Sequence, residues 1–171
     1  MLTVGILTIS DRGWRGERED QSGEEIQQML SALGAHIARY EIVPDEKEAI
    51  SQRLAQWADE LSLDLIVTTG GTGLSPRDVT PEATLGVVQR LVPGLSEAMR
   101  AEGMKKTATA MLSRGVSGIR GRSLIINLPG SPKGVRESLG IILPVLPHAM
   151  EVLKGEAAEC GRDLAEGTHG H

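Results

Sequence analysis

The chain has 171 residues, a mass of 18.2 kDa, a net charge of -5 and a pI near 5.4, which excludes the broadly basic surface expected of a DNA- or RNA-binding protein. Hydrophobic residues make up 40% and mean hydropathy is -0.11, so one globular domain is expected, and no apolar run approaches the roughly 20 residues that span a bilayer. Phenylalanine is absent and only Trp14, Tyr40 and Trp57 are aromatic, which excludes single-strand binding by base stacking, and the lone Cys160 excludes an internal disulfide framework.

Residues 2 to 9, LTVGILTI, read as a central strand, stopped by the turn cluster Ser10-Asp11-Arg12-Gly13. The start resembles no secretory leader, and with one cysteine it fits a cytoplasmic protein. A charged loop runs to Gln21. Ser22 and Glu25 have capping-box spacing ahead of a helix with Ile26, Met29, Leu30 and Leu33 on one face, closed by Gly34. Residues 35 to 43 read as a second strand ending at Pro44-Asp45, and Asp45 with Glu48 can cap a helix whose apolar face is Ile50, Leu54, Trp57 and Leu61.

Residues 65 to 84, LIVTTGGTGLSPRDVTPEAT, give a third strand, a glycine-dense loop and a helix predicted to start with Thr80 as N-cap and Pro81 at the first helical position. Leu85, Val88 and Val92 are predicted to line that helix up to Pro93-Gly94. Residues 95 to 112 read as a weaker helical stretch broken around Gly103, and 115 to 122, GVSGIRGR, as a turn or a short edge strand. SLIINL, 123 to 128, is a fully apolar strand stopped at Pro129-Gly130-Ser131-Pro132-Lys133-Gly134. A long amphipathic helix follows through Val135, Leu139, Ile142, Leu146 and Leu153, broken near Pro144 and Pro147. Residues 1–154 read as one domain and 155–171 as a polar, frayed tail, where Cys160 is a bystander and His169 and His171 carry a metal role only as an outside reading.

Strands alternating with helices imply an α/β fold: a three-layer, doubly wound, mostly parallel sheet with helices on both faces. Ligands in such folds sit beyond the carboxyl ends of the strands. That rim collects Ser10-Asp11, Gly70 to Asp78 and Pro129 to Lys133.

The glycine loop lacks the P-loop lysine and the G-x-G-x-x-G spacing, yet its free amides beside a helix start suit a phosphate or nucleotide. Arg77 beside Asp78 pairs a cation with a carboxylate, as phosphate plus magnesium requires. Asp45 and Asp78 each precede a predicted helix, so a capping role stands beside a functional one; converging on one pocket, they would share a Mg²⁺ bridging nucleotide phosphates. Arg12, Arg15 and Arg18 make the first loop a solvated segment or a lid over a polyphosphate, and Trp14 within it packs on the fold or covers a base. His36 and His148 read as structural. No Ser/His/Asp or Cys/His arrangement supports covalent catalysis.

Taken together, TISDR, VPDE, TTGGTG with RDVTPEAT, and SRGVSGIRGRSLIINLPGSPKG resemble the molybdopterin adenylyltransferases, a group that includes the Mog and MoaB-type proteins and the G domain of gephyrin. The similarity spans residues 3 to about 153. It implies a reaction in which the terminal phosphate of molybdopterin attacks the α-phosphorus of Mg-ATP, giving adenylyl-molybdopterin and pyrophosphate, with a non-catalytic pterin carrier or scaffold of the same fold as the alternative. It also implies Asp45 and Asp78 as the essential acidic pair acting through Mg²⁺. Ser10, Asp11, Gly70, Gly71, Thr72 and Gly73 fall on the nucleotide side, and Ser113, Ser131 and Lys133 hold the pterin or its phosphate. A homo-oligomer, most often a trimer, and hand-over to a molybdate-insertion protein complete the expectation.

Overall fold

The computed structural model describes residues 1–156; Cys160, His169 and His171 lie outside the described residues. Six strands form one sheet in the order β2-β1-β3-β6-β5-β4: β1 Thr3–Ile9, β2 His36–Val43, β3 Leu65–Thr69, β4 Arg90–Leu91, β5 Ser117–Arg120 and β6 Ser123–Leu128. The first four in that order run parallel, with Ile6 opposite both Tyr40 and Val67, and Val67 opposite Ile126; β5 and β4 are antiparallel additions.

A single helical turn, α1 Asp11–Trp14, follows the first strand. Period-two alternation divides the apolar runs between two cores, because successive strand side chains point to opposite faces. Val4, Ile6, Leu65, Val67, Leu124 and Ile126 pack under α2 Gln21–Ala32, α5 Pro93–Met104, α6 Pro132–Ile142 and α7 Leu146–Lys154. Leu7, Ile9, Ile66 and Ile125 face α3 Lys47–Asp59 and the short α4 Thr80–Leu85. The fully buried Ile50, Leu54 and Trp57 of α3 each contribute about 1.5–3 kcal/mol by leaving water. Of the parallel strands, β1, β3 and β6 are buried on both faces and so read as continuous apolar runs, whereas β2, at the sheet edge, is largely half-exposed.

Several local expectations are corrected. Helix α2 is capped by Asp20, whose carboxylate accepts from the Gly23 amide, and not by Ser22 with Glu25; Ser22 lies inside the first turn and donates to Gly130 O at 2.6 Å. Glu46 occupies the N-cap of α3 without a side-chain bond, and Asp45 is drawn away to Asp11. Leu61 falls beyond α3 and is exposed. Val79 precedes α4, leaving Thr80 as its first residue.

The helix expected through Val88 and Val92 ends at Leu85. Gln89 N–H donates to Ile119 O and Val92 N–H to Ser117 O, both at 2.8 Å, so β4 pairs with β5 instead. The β-branched pair Val87-Val88 favours that outcome. Consequently β4 is the edge and β5, expected as an edge strand or turn, is flanked on both sides. Residues 95 to 112 divide into α5 and a 3₁₀ turn, Ala108–Leu112, and the expected proline break is a second 3₁₀ turn, Leu143–Val145, between α6 and α7.

Candidate active site

Strand order reverses between β1 and β3, and a cleft of about 600 Å³ opens over their carboxyl ends. Its walls come from the segment after β1, the turn after β2, the glycine loop after β3, and the loop after β6. Ser10, Asp45, Gly70, Gly71, Asp78 and Ser131 line it together. Residues separated by more than a hundred positions thus share one cavity because four parallel strands end on the same edge.

The glycine loop is fixed by its surroundings. Gly70 and Gly71 have φ of 97° and 69°, and a Cβ would strike Ile9 O in the first case and Thr80 Oγ1 in the second. Thr80 donates its side chain to Gly70 O at 2.9 Å and its amide to Gly71 O at 3.2 Å. With that amide bonded and Pro81 lacking one, the start of α4 is not the anion site its sequence suggests. The cleft is instead flanked by two longer helices. Gln21 and Ser22, at the first positions of α2, and Ser131 and Pro132, at the start of α6, line it. At the start of α2 the Gln21 and Ser22 amides have no acceptor among the described residues, next to the positive dipole end; at the start of α6 Pro132 has no amide and the Gly134 amide is taken by the Ser131 hydroxyl, so that helix contributes its dipole and little more.

The two aspartates face this loop. Asp45 Oδ1 lies 3.4 Å from where a Cβ would stand on Gly71, and Asp78 Oδ2 lies 2.8 Å from the same point on Gly73. Asp78 accepts from the Ser75 amide at 3.0 Å. Asp45 and Asp11 are reciprocally bonded, Asp11 N–H to Asp45 Oδ2 at 2.9 Å and Asp45 N–H to Asp11 Oδ1 at 3.0 Å. Arg77 clasps the Asp11 carboxylate through Nε and Nη2 at 2.8–3.0 Å. That guanidinium holds the Asp11 carboxyl below its ordinary pKa. Asp45 is pushed the other way, first by burial, against the Asp11 amide, and then by the charges of Asp11 and Asp78. A cation placed between Asp45 and Asp78 would relieve that repulsion.

Not every expected residue reaches the cleft. Asp11 and Lys133 line neither it nor its neighbour: Asp11 cross-links the first and third loops, and Lys133 is exposed at the second position of α6. Thr72, Gly73 and Ser113 face a second cavity of about 310 Å³, between α5, the 3₁₀ turn and α6, and Ser131 lines both. Trp14 is 60% exposed and lies away from the cleft, at a shallow pocket that Val43, Pro44 and Gln56 also line.

Some members of the site were missed. Arg114, beside Ser113, donates from Nε to Gly73 O at 2.8 Å and from Nη2 to Asp78 O at 2.7 Å, and pairs with Glu82. Its amide donates to Thr72 O, so this one residue braces the whole loop carrying Asp78. The only sequence signal was its adjacency to a candidate serine. Asp20 accepts from Thr8 Oγ1 at 2.6 Å, from Gly23 N–H and from the Tyr40 hydroxyl, anchoring the first loop under the cleft. Burial, with Asp20 second, raises the Tyr40 phenol and keeps it a donor. Arg18, one of the three first-loop arginines already singled out in the sequence, also lines the cleft.

Among the described residues that line the cleft there is no histidine. No group of three potential metal ligands gathers among the described residues. Two carboxylates suffice for magnesium, which keeps waters and takes its remaining ligands from phosphates. Paired carboxylates, open amides and an arginine suit positioning and charge neutralisation in phosphoryl-type transfer.

The family described as the probable molybdopterin binding domain matches residues 5–148. The molybdopterin adenylyltransferase of Helicobacter pylori strain J99 is 47% identical over 156 residues, covering 90% of this chain and 89% of that protein. That of Escherichia coli K12 is 38% identical, covering 95% and 91%. The crystal structure of the molybdopterin biosynthesis enzyme MoaB from Thermus thermophilus superposes with a TM-score of 0.86 at 57% identity, covering 91% of this chain and 98% of that one.

Proposed function

The chain belongs to the probable molybdopterin binding domain family, and from that premise we propose that it is a molybdopterin adenylyltransferase of molybdenum cofactor biosynthesis, with Mg-ATP as the adenylyl donor. A terminal phosphate oxygen of molybdopterin attacks the α-phosphorus of ATP, the bond from that phosphorus to the bridging oxygen breaks, and pyrophosphate leaves with the electron pair. The observation that carries this reading is the placement of Asp45 and Asp78 against Gly71 and Gly73 in a cleft flanked by two helix starts.

Asp45 and Asp78 are the residues that would hold Mg²⁺, which, when bound, neutralises the polyphosphate and orients it. The chain itself supplies positioning. Amides of the glycine loop and of the α2 start hold phosphate oxygens, Arg18 adds positive charge at the cleft wall, and Arg114 fixes the loop that carries Asp78. The pterin side falls to Ser113 and Ser131, which line the second cavity, and Ser131 touches both cavities. Because the substrate phosphate is itself the nucleophile, no protein nucleophile is required.

The enzyme is further assigned to the cytoplasm, acting as a homotrimer that passes its product to a molybdate-insertion protein. No helix among the described residues is long and apolar enough to cross a membrane. Leu85 and Leu91 are large apolar side chains left exposed at and near the β4 edge, surface that self-association would cover.

The test is pyrophosphate release from purified protein given Mg-ATP and molybdopterin, with the product identified by mass. Release that depends on both substrates, with an adenylylated product, is expected. Tight pterin binding without release would replace the enzyme by a carrier.

A further inference from the structure

The second cavity contains an unused carboxylate. Along α6, Gly134, Glu137, Ser138 and Ile141 share the face turned to α5, and all line the cavity. Glu137 is half-buried, its side chain 23% exposed, yet it accepts no hydrogen bond among the described residues. Its one ion-pair partner within 4 Å among the described residues, Lys106 Nζ, lies 3.9 Å away on a side chain that is 60% exposed, a separation and exposure at which an ion pair contributes little.

Other polar groups nearby are committed. Asn127 donates to Thr68 and Thr84 hydroxyls and accepts from the Val116 amide, while Ser96 bonds Ser117. Arg100 uses Nη1 on Gly115 O at 2.9 Å and Ser113 O, leaving Nε and Nη2 without acceptors among the described residues. Among the described residues, Glu137 and Arg100 are the charged groups lining a cavity otherwise walled by hydroxyls, the Asn127 amide, glycine and apolar surface such as Met99.

A carboxylate is a pure acceptor with two oxygens, and it matches a ligand edge bearing two adjacent parallel N–H donors. A 2-amino-4-oxopyrimidine ring presents that edge through N2–H and N3–H, followed by an O4 acceptor suited to a guanidinium. Adenine presents a lone pair at N1 beside one donor, so the same carboxylate repels it. We infer that Glu137 is the specificity-determining residue of this cavity, reading the 2-amino and N3 edge of the pterin ring while Arg100 meets O4. This rests on molybdopterin being the substrate. The ring would sit between α5 and α6, its phosphate would extend past Ser131 into the aspartate cleft, and the adenine of ATP would be excluded from the pterin seat.

The experiment uses full-length protein and 6-hydroxymethylpterin, followed by its fluorescence, against 6-hydroxymethyl-lumazine, whose 2-oxo group removes the donor. Wild type is expected to prefer the pterin by about tenfold or more, since a site built for a donor rejects an analogue lacking it. Glu137→Gln should weaken pterin binding about tenfold or more and bring the preference to within about threefold, with the Mg-ATP-induced shift in melting temperature unchanged. Unchanged affinity and preference in Glu137→Gln would overturn the role of Glu137 while leaving the adenylyltransferase reading intact. Absence of pterin binding by wild type would remove both. Displacement of the pterin by an equal concentration of GMP, which carries the same edge, would overturn the assignment to pterin.

Discussion

The cleft over β1 and β3 is walled by loops, glycines and small polar groups, whereas two walls of the second cavity are the facing sides of the regular helices α5 and α6, with loops and the 3₁₀ turn closing the rest. In the first, shape depends on how loops are tied to one another: Asp11 to Asp45 and Arg77, Thr80 to Gly70, Thr69 to Pro129 and Arg114 to Gly73. In the second, helix periodicity sets the two helical walls and brings Gly134, Glu137 and Ile141 to one face. A cross-linked loop site suits charge and phosphate, which need amides and carboxylates at close range. A helix-walled site suits recognition of a flat ring.

Three substitutions divide the two regions. The largest effect is expected from Asp78→Asn, which should cut adenylyl transfer about 10³-fold, roughly 4 kcal/mol of transition-state stabilisation, while pterin affinity stays within about twofold. Steady-state turnover with a pterin titration measures both, and unchanged turnover would remove Asp78 from the chemistry. Next, Arg114→Ala removes charge-assisted bonds to two carbonyls and should cost about 2–3 kcal/mol in denaturant unfolding, with faster amide exchange confined to residues 72–78. Wild-type exchange in that loop would show that other contacts hold it.

The smallest effect concerns pH. Asp45 binds its proton more tightly when folded than when unfolded, so stability falls as pH rises from about 4, the ordinary carboxylate value, through the raised native one. Asp45→Asn abolishes that slope. Its melting temperature should exceed that of wild type by about 2 °C or less at pH 7, with no gain at pH 3, alongside lost turnover. A gain that persists at pH 3 would mean that packing, not ionisation, is responsible.

Much of this was legible in the chain. β1, β3 and β6 are apolar runs because both of their faces are covered, and the rim loops follow from their common direction. Motif order placed Asp45 and Asp78 on that rim, and the geometry puts them in one cleft. The capping expectations for Ser22, Asp45 and Thr80 failed for a shared reason. Local spacing offers each a neighbouring amide, but tertiary partners won: Gly130 O for Ser22, the Asp11 amide for Asp45 and Gly70 O for Thr80.

By itself, the sequence determined the alternation of strands and helices, the glycine loop and the family, because hydrophobic period and short motifs are local properties. Only the tertiary structure decided that residues 90 and 91 form an edge strand, that Arg114 braces the Asp78 loop, and that Glu137 faces a cavity with no hydrogen-bond donor to it among the described residues. Each of these depends on which distant atom comes within hydrogen-bond reach, a distance that the packing of two cores sets and no spacing along the chain records.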